Sequence, residues 1–356
     1  MPHYKPLQAI LLTTLICLLL LWLSSPIAPP RFRLRPAAAR PATPPARSSH
    51  LDEIPNDVHF VFLLEKAGAD FPFEFHQFLC IYAAWFHLQP GRLFLHTNAG
   101  AEQIQRAKQG QAGKWSRLIF EMPGLTVNPV ESPTVTNKGV KIKHVAHKSD
   151  FIRVQVLRQF GGLYLDLDVF VIRDLRPLMA SGFQSVSGRE VGGLMTAGAF
   201  LAKRDCRLLQ MWEKEMHEVF DQGWTTHSNG LMTRIGERLI PEPWEILLLE
   251  QDALSPVHWD PPGAEEFIES HPDVASPVEG LHEGDHLPLL QHYDEPGGPW
   301  AMNFNKSYAI HAFRVEEVGM EVSPGSVLER RSNIGRALYP VVRDMYHRGL
   351  VTLQEK

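Results

Sequence analysis

The chain has 356 residues, of which 44% are hydrophobic and 21% charged, and its formal net charge at pH 7 is −5. This is the composition of an ordinary globular protein with a sizeable core, in one large domain or two small ones. Because the net charge is negative, the chain carries no general basic field for nucleic acid, and we set nucleic-acid-binding proteins aside.

The first element predicted along the chain is a membrane-spanning helix. Residues 7–25 (LQAILLTTLICLLLLWLSS) contain no charged residue. The run is long enough to cross the hydrocarbon core of a bilayer and longer than the apolar region of a typical signal peptide. We therefore predict a signal anchor at 7–25 behind a short tail at 1–6, with a cleaved signal peptide as the alternative.

Residues 26–52 are rich in Pro, Ala and Arg, which is typical of an extended, semi-rigid stem. Only Lys5 precedes the predicted span, whereas several arginines follow it in the stem. Counted by the positive-inside rule, this distribution would leave the C-terminal part of the chain in the cytoplasm.

From residue 53 onward, short apolar runs alternate with helical patterns. We predict strands at 58–64, 92–97 and 117–122, and helices at 75–86 and 101–116. Such alternation is typical of a parallel sheet covered by helices, in which ligands bind at the carboxyl ends of the strands.

The most informative stretch is 148–174. Its first half has apolar residues at helical spacing, which predicts a helix with Ser149 as N-cap and with Gly161 and Gly162 at its end. The second half, 163–172, is apolar and rich in β-branched residues, which predicts one buried strand. Side chains two apart on a strand share a face, so we expect Asp166 and Asp168 to point the same way.

Two carboxylates on an apolar strand are unfavourable unless a cation compensates them. A hard divalent cation such as Mn²⁺ or Mg²⁺, with the diphosphate of a substrate completing its shell, would do so. The alternative is a pair of solvated acids at the surface. On the preceding helix, Asp150 and Arg153 lie three residues apart and share a face, a spacing that by itself indicates only an ion pair.

The whole run follows the pattern SDxxRxxxLxxxGGxYxDxD. The matching residues are Ser149, Asp150, Arg153, Leu157, Gly161, Gly162, Tyr164, Asp166 and Asp168. This pattern resembles the sugar-nucleotide site of family 32 glycosyltransferases, a group that includes yeast-type α-mannosyltransferases and an animal α-1,4-galactosyltransferase. The resemblance implies a GT-A-like α/β domain at 53–320, with a mostly parallel central sheet covered by helices.

The resemblance also implies roles for single residues. The donor-binding residues would be Asp150, Arg153, Tyr164, Asp166 and Asp168, and all of these except Tyr164 would be catalytic. Asp166 and Asp168 would both belong to the metal site. Asp168 would bind the Mn²⁺ or Mg²⁺ directly, while Asp166 would hold ribose, sugar or a metal-bound water. Tyr164 would line the donor pocket or merely pack.

A third metal ligand is expected near the end of the domain. Family 32 chains commonly end their catalytic core with a His that is often followed by Trp, and His311 is the matching position. Ala312 and Phe313 replace the usual polar and Trp neighbours. A core or surface histidine is the alternative.

The implied activity is the metal-dependent transfer of a hexose from a nucleoside diphosphate sugar to a glycan or glycolipid acceptor, with retention of anomeric configuration. Family members in eukaryotes are mostly luminal Golgi enzymes, so the resemblance predicts a single-pass type II Golgi membrane protein, against the arginine distribution. Two alternatives remain. One is a glycan-binding or scaffold protein with an inactive glycosyltransferase fold, and the other is a haloacid-dehalogenase-type phosphatase, whose D-x-D normally lies on the first strand and is followed by Thr.

The remaining predictions concern the C-terminal half. We expect a helix around 208–216, a turn with Asn229 where the family usually has Pro, irregular acceptor-side loops at 241–305, and a strand at 307–315. A helix at 332–348 would dock onto the domain within a helical tail at 321–356. Cys80 and Cys206 would be either a disulfide or thiols, and Asn305 begins an N-glycosylation acceptor sequence.

Overall fold

The structure is a computed structural model that describes residues 53–66, 68–291, 298–313 and 322–355. Its strands are β1 (Asp57–Val61), β2 (Arg92–Thr97), β3 (Leu125–Pro129), β4 (Gly162–Leu165), β5 (Val169–Val171), β6 (Ser185–Arg189), β7 (Met195–Ala202), β8 (Ile246–Leu249) and β9 (Ala309–His311). Its helices are α1 (Phe75–Leu88), α2 (Ala101–Lys108), α3 (Lys114–Phe120), α4 (Val145–Phe160), α5 (Arg176–Met179), α6 (Arg207–Val219), α7 (Asn229–Leu239), α8 (Gln251–Leu254), α9 (Pro261–Ile268), α10 (Pro324–Leu328) and α11 (Asn333–His347).

The predicted tail, signal anchor and stem, at 1–6, 7–25 and 26–52, lie outside the described residues. Within the described ranges, every helix is too short or too polar to span a bilayer.

Within the described ranges, seven strands form the central sheet in the order β3-β2-β1-β4-β7-β6-β8. Strands β1 to β4 pair in parallel, β7 runs antiparallel to both of its neighbours, and β8 returns parallel to β6. The prediction of an α/β fold with a mostly parallel central sheet is therefore confirmed. Strands β5 and β9 form a separate two-stranded antiparallel sheet.

A hydrophobic cluster covers each face of the central sheet. Leu163 and Leu165 of β4 belong to one cluster together with residues of α1 and α11, whereas Tyr164 belongs to the other together with residues of α4, α6 and α7. This division follows from the two-residue period of a strand. Burial on both faces also explains why the strands read as continuous apolar runs.

The segment 101–122 departs from its prediction. The single helix expected at 101–116 is two helices, because Gly110 and Gly113 between them take positive φ of 76° and 94°. The strand expected at 117–122 is instead the end of α3, and the strand β3 follows it. A short apolar run fits a buried helix turn as well as a strand, so the pattern alone could not distinguish them.

The stretch 148–174 also differs from its prediction in two ways. Helix α4 begins at Val145 with His144 as its N-cap, so Ser149 lies within the helix, where its Oγ donates to the Val145 carbonyl at 3.2 Å. The predicted strand at 163–172 is two strands. The ladder of β4 ends with Asp166 N donating to Gly198 O, and a turn at 166–168 closes with Val169 N donating to Asp166 O. Asp166 and Asp168 thus lie on a turn and not on one strand face.

The C-terminal elements agree better with the prediction. The expected helix at 332–348 is α11, and its apolar stripe of Ile334, Leu338, Val341, Val342 and Met345 is buried in the core. Of the predicted strand at 307–315, the described residues 307–313 contain the strand β9 at Ala309–His311, and residues 314 and 315 lie outside the described residues. Cys80 and Cys206 are buried thiols, so the disulfide alternative is wrong.

Candidate active site

A glycine pair fixes the start of β4 against β1. Gly162 has φ of 113°, and a Cβ on it would lie 2.5 Å from Asp57 O and 3.0 Å from His59 Nε2. Only glycine permits this approach of the two strands. The carbonyl of Gly161 accepts a hydrogen bond from His59 Nε2 at 2.8 Å. The turn that carries Asp166 and Asp168 follows directly from this anchored strand.

The turn at 166–168 lies against His311, the last residue of β9. Strand β9 pairs with β5 so that His311 lies opposite Val169, and Ala312 N donates to Asp168 O at 2.9 Å. One ligand atom each from Asp166, Asp168 and His311 lie within 4.8 Å of one another. The structure therefore brings together the three residues that the sequence proposed as metal ligands.

Two observations show that these three residues fit a divalent cation. A Cβ on Gly198 of β7 would lie 2.6 Å from His311 Cε1 and 2.7 Å from Asp166 Oδ2, so a glycine keeps the space beside them open. His311 Nδ1 is buried and has no hydrogen-bond partner among the described residues. Two carboxylates and one imidazole are ligands suited to Mn²⁺, and carboxylates to Mg²⁺.

Arg153 is buried in the centre of the site. Its Nη1 donates to Ala197 O at 2.7 Å, and its Nη2 lies 3.0 Å from Asp150 Oδ1 and 3.1 Å from Asp166 Oδ1. The side chains of Arg153 and Asp150 are only 7% and 9% exposed. The pair is therefore not a surface ion pair, and removing one partner would leave a buried charge without compensation.

Asp150 has a second partner that sequence reasoning missed. His227 Nε2 donates to Asp150 Oδ2 at 2.9 Å, and the His227 side chain is fully buried. Its own carbonyl accepts from Trp212 Nε1 at 2.8 Å, which ties it to α6. No spacing in the sequence relates His227 to Asp150, since α4 and α7 meet only in the folded chain.

Tyr164 packs beneath the site. Its hydroxyl donates to Asp166 Oδ1 at 2.6 Å, and its ring lies 4.6 Å below the guanidinium carbon of Arg153. The residue is 1% exposed. Tyr164 is thus packed and holds Asp166 in place, and its part in lining the donor pocket stays a prediction.

The two aspartates have different electrostatic surroundings. Burial raises the pKa of Asp166, and the charge of Arg153 opposes this while the charge of Asp168 adds to it. Burial also works to raise the pKa of Asp168, but the charge and hydrogen bond of His311 outweigh it and lower that pKa. Burial works to lower the pKa of His311, but the charge of Asp168 reverses this and the net direction is upward.

Glu190 and Asn229 are two further polar residues of the site. Glu190 follows β6 and Asn229 begins α7, and Asn229 Nδ2 donates to Glu190 Oε1 at 2.7 Å. Burial raises the pKa of Glu190, with the charge of His311 opposing. Glu190 gave no signal in the sequence, because a single Glu beside Gly and Val is typical of any exposed turn.

Phe313 occupies the position where the resembling family usually has Trp. Its ring stacks on His311 with a centroid separation of 3.8 Å and an interplanar angle of 21°. The backbone takes φ of 46°, which turns the chain so that the ring covers the imidazole. An aromatic contact with the histidine is therefore present despite the replacement.

Residues 76–184 match the model of the family described as "Glycosyltransferase sugar-binding region containing DXD motif". The match contains Asp150, Arg153, Asp166 and Asp168 and ends before His311. It confirms the resemblance predicted from the sequence.

Among characterised proteins, the chain is similar to "Glucan organizing enzyme 1" of Cryptococcus neoformans var. grubii serotype A (strain H99), with 24% identity over 306 residues, 81% of this chain and 71% of the relative. Among solved structures it is similar to "PaToxG Glycosyltransferase", with a TM-score of 0.39, 13% identity and coverage of 53% of this chain and 71% of that one. It is also similar to the glycosyltransferase GlyE of Streptococcus pneumoniae TIGR4, with a TM-score of 0.32, 15% identity and coverage of 55% and 45%. Each of these two structures therefore matches only about half of this chain.

Proposed function

We propose that this chain, a DXD-containing glycosyltransferase like those of family 32, transfers a hexose from a nucleoside diphosphate sugar to a glycan or glycolipid acceptor with the help of Mn²⁺ or Mg²⁺. The observation that carries the proposal is the convergence of Asp166, Asp168 and His311, whose ligand atoms lie within 4.8 Å of one another. The buried pair of Asp150 and Arg153 lies directly beside them.

Asp168 and His311 would hold the cation together with Asp166. A cation bound there would neutralise the charge that develops on the leaving diphosphate. Asp166 is already held by Arg153 and Tyr164, so its carboxylate is fixed before any ligand arrives. Such a preformed ligand set avoids reorganisation at the moment of reaction.

Arg153 and Asp150 would orient the donor sugar. The guanidinium is a rigid fork of donors, and its planar geometry is held by Ala197 O, Asp150 and Asp166. Its Nε is buried and makes no hydrogen bond within the described residues. This remaining donor supports a role in binding a polar ligand.

The acceptor and the stereochemistry rest on relatives. The similar protein of Cryptococcus has a name that refers to glucan, which supports a glucan or another glycan as the acceptor. By the family resemblance we propose retention of anomeric configuration. We also propose that residues 7–25 anchor the protein in the Golgi membrane and that the part from 26 onward is luminal.

Cation-dependent hydrolysis of nucleotide sugars without acceptor tests the activity. UDP-glucose, UDP-galactose and GDP-mannose are offered in Mn²⁺ and in excess chelator, and we expect one to be hydrolysed only in Mn²⁺. Hydrolysis that is unchanged by chelation would contradict the proposal. Binding of a nucleotide sugar with neither hydrolysis nor transfer to a glycan panel would favour the alternative of an inactive, glycan-binding protein.

A further inference from the structure

A third carboxyl group lies beside the aspartate pair without an assigned role. Glu190 lies in the tight connection between β6 and β7, where its N donates to Leu194 O at 2.7 Å and its O accepts from Gly193 N at 2.9 Å. Both bonds fix the backbone, so the position of the Glu190 side chain is determined by the hairpin and by Asn229.

The hydrogen-bond partner of the Glu190 carboxyl group is the side-chain amide of Asn229, whereas a buried carboxylate is usually paired with a basic side chain. Asn229 Nδ2 donates to Oε1, and within the described ranges no basic side chain forms an ion pair with Glu190. The neighbouring Arg189 lies instead near Glu237, at 3.9 Å. Glu190 is partly buried, and a partly buried carboxyl group without a cation is unfavourable unless other donors compensate it. Such groups are candidates for ligand binding.

Glu190 lies near the cation site but is not one of its three candidate ligands. The charges of His311 and Asp166 act on Glu190, and the charge of Glu190 acts in turn on His311. Yet Glu190 does not belong to the group whose ligand atoms lie within 4.8 Å of one another. We therefore treat Glu190 as a contact for the substrate and not as a ligand of the cation.

A buried hydroxyl lies on the same side. Thr196 and Gly198 are two apart on β7 and therefore share a face, and Gly198 abuts Asp166 and His311. Thr196 is 0% exposed, and its hydroxyl lies close enough to Glu190 to act on the pKa of that carboxyl, which it lowers. A carboxyl, an amide and a hydroxyl together offer the donors and acceptors that sugar hydroxyls require.

We propose that Glu190, held by Asn229 and flanked by Thr196, binds hydroxyl groups of the transferred hexose. Glu190 is then the residue that distinguishes a nucleotide sugar from a bare nucleoside diphosphate. The proposal rests on the proposed function, since it names the part of the same site that contacts the sugar.

Calorimetric titration of the full-length protein in Mn²⁺ tests it. The probes are UDP-glucose, UDP-galactose and GDP-mannose, together with UDP and GDP. For the sugar that the wild type binds most tightly, Glu190→Ala should lose about tenfold or more in affinity, the loss expected for hydrogen bonds to a carboxylate. Its affinity for the matching nucleoside diphosphate should stay unchanged, which also shows that the variant is folded.

Deoxy analogues of that sugar locate the contact. At one ring position, removal of the hydroxyl should weaken binding to the wild type but not to Glu190→Ala. Glu237→Ala is the matched control, because Glu237 is a half-exposed carboxylate of α7 near Arg189, and it should behave as the wild type.

The possible failures are distinguishable. If the wild type binds none of the nucleotide sugars, the inference falls together with the proposed function. If the wild type binds one and Glu190→Ala binds it equally well, only the inference falls. Equal losses for the nucleotide sugar and the nucleoside diphosphate would likewise overturn it, because they indicate a merely structural role.

Discussion

Asp166 and Asp168 are separated by one residue but have different partners. Asp166 accepts from Tyr164 and contacts both terminal nitrogens of Arg153, so protein donors already surround it. Asp168 faces His311 Nε2 at 3.4 Å, and its side chain is more exposed, at 36% against 27%. Of the two, Asp168 has fewer protein donors around it, and its role as the direct metal ligand stays a prediction.

The first prediction concerns Asp168→Asn. The change removes the charge and keeps the size, and because Asp168 lies on a turn the fold should survive. We expect Mn²⁺-dependent affinity for the nucleoside diphosphate to fall by about tenfold or more, since a charged ligand is lost. Calorimetry with and without Mn²⁺ measures this.

Asp174→Asn is the matched control, because Asp174 pairs with Arg176 at the surface of the same stretch. It should leave nucleotide binding unchanged. Cation-dependent affinity that persists in Asp168→Asn at the wild-type value would show that Asp168 is not a metal ligand.

The second prediction concerns His227, which we expect to position Asp150. His227→Leu removes the donor to Asp150, so Arg153 loses its fixed geometry and sugar-nucleotide hydrolysis should fall about 100-fold. Affinity for Mn²⁺ and nucleoside diphosphate should change little, because those ligands meet the aspartates and His311. His227→Gln keeps a donor and should restore part of the rate.

His96→Gln controls for the loss of a buried histidine, since His96 contacts His59 and Asn128 away from Asp150. It should keep the wild-type rate of hydrolysis. A similar loss of rate in His227→Gln and His227→Leu, with lowered melting temperature in both, would reduce His227 to a packing residue.

At the scale of elements, the sequence was most informative where a pattern was long. Helix α11 was predicted within one residue at each end, because five apolar side chains recur on one face over about three turns. The stretch 163–172 was predicted as one strand, because an apolar run does not show where backbone hydrogen bonds end. That ending depends on Gly198 of β7, which belongs to another part of the chain.

Whether a site residue could be predicted also depended on whether its signal lies in one continuous stretch of sequence. Asp150, Arg153, Asp166 and Asp168 lie within one helix-turn-strand unit, so their spacing carries the signal. His311 could be proposed only through the family resemblance. Glu190 and His227 reach the site through tertiary contacts alone, and a single sequence contains no record of such contacts.

The third prediction concerns the histidines of β1 and β2. Burial lowers the pKa of His59 and of His96 from 6.5 to about 3. Both are neutral in the folded protein, whereas in the unfolded chain they bind protons below pH 6.5. Their contribution to stability is therefore complete above pH 6.5 and is lost as the pH falls toward 3.

We expect the urea concentration at the midpoint of unfolding to decrease as the pH is lowered from 7 to 5. The decrease should be smaller in the His96→Gln variant. The exposed His258 provides the control, and His258→Gln should keep the wild-type slope. An identical slope in His96→Gln would mean that the buried pair does not govern the acid sensitivity.

At the scale of the whole molecule, four separate segments meet at one end of the central sheet. They are the start of α7, helix α4, the turn after β4, and β9. Ligand binding at the carboxyl ends of parallel strands is the general arrangement in such sheets, and β1 and β4 end there. The membrane anchor expected before this domain remains a prediction.

The fourth prediction concerns that anchor. In sealed microsomes the domain should resist added protease until detergent is present, because we expect it to be luminal. Asn305 is exposed and begins an acceptor sequence for N-glycosylation. If the domain is luminal, glycosidase treatment should lower the mass of the wild-type protein. The same treatment should leave the mass of the Asn305→Gln variant unchanged. Digestion of the domain without detergent would contradict this topology.

The pairing of β9 with β5 has a consequence for shortened gene products. A frameshift or premature stop anywhere between β7 and β9 would leave every residue of the SDxxRxxxLxxxGGxYxDxD pattern in the translated product. The product would lack His311 and the strand that presents it. A transcript catalogue searched for the motif alone would count such a product as an enzyme, whereas its reading frame must extend through residue 311 to encode the complete ligand set.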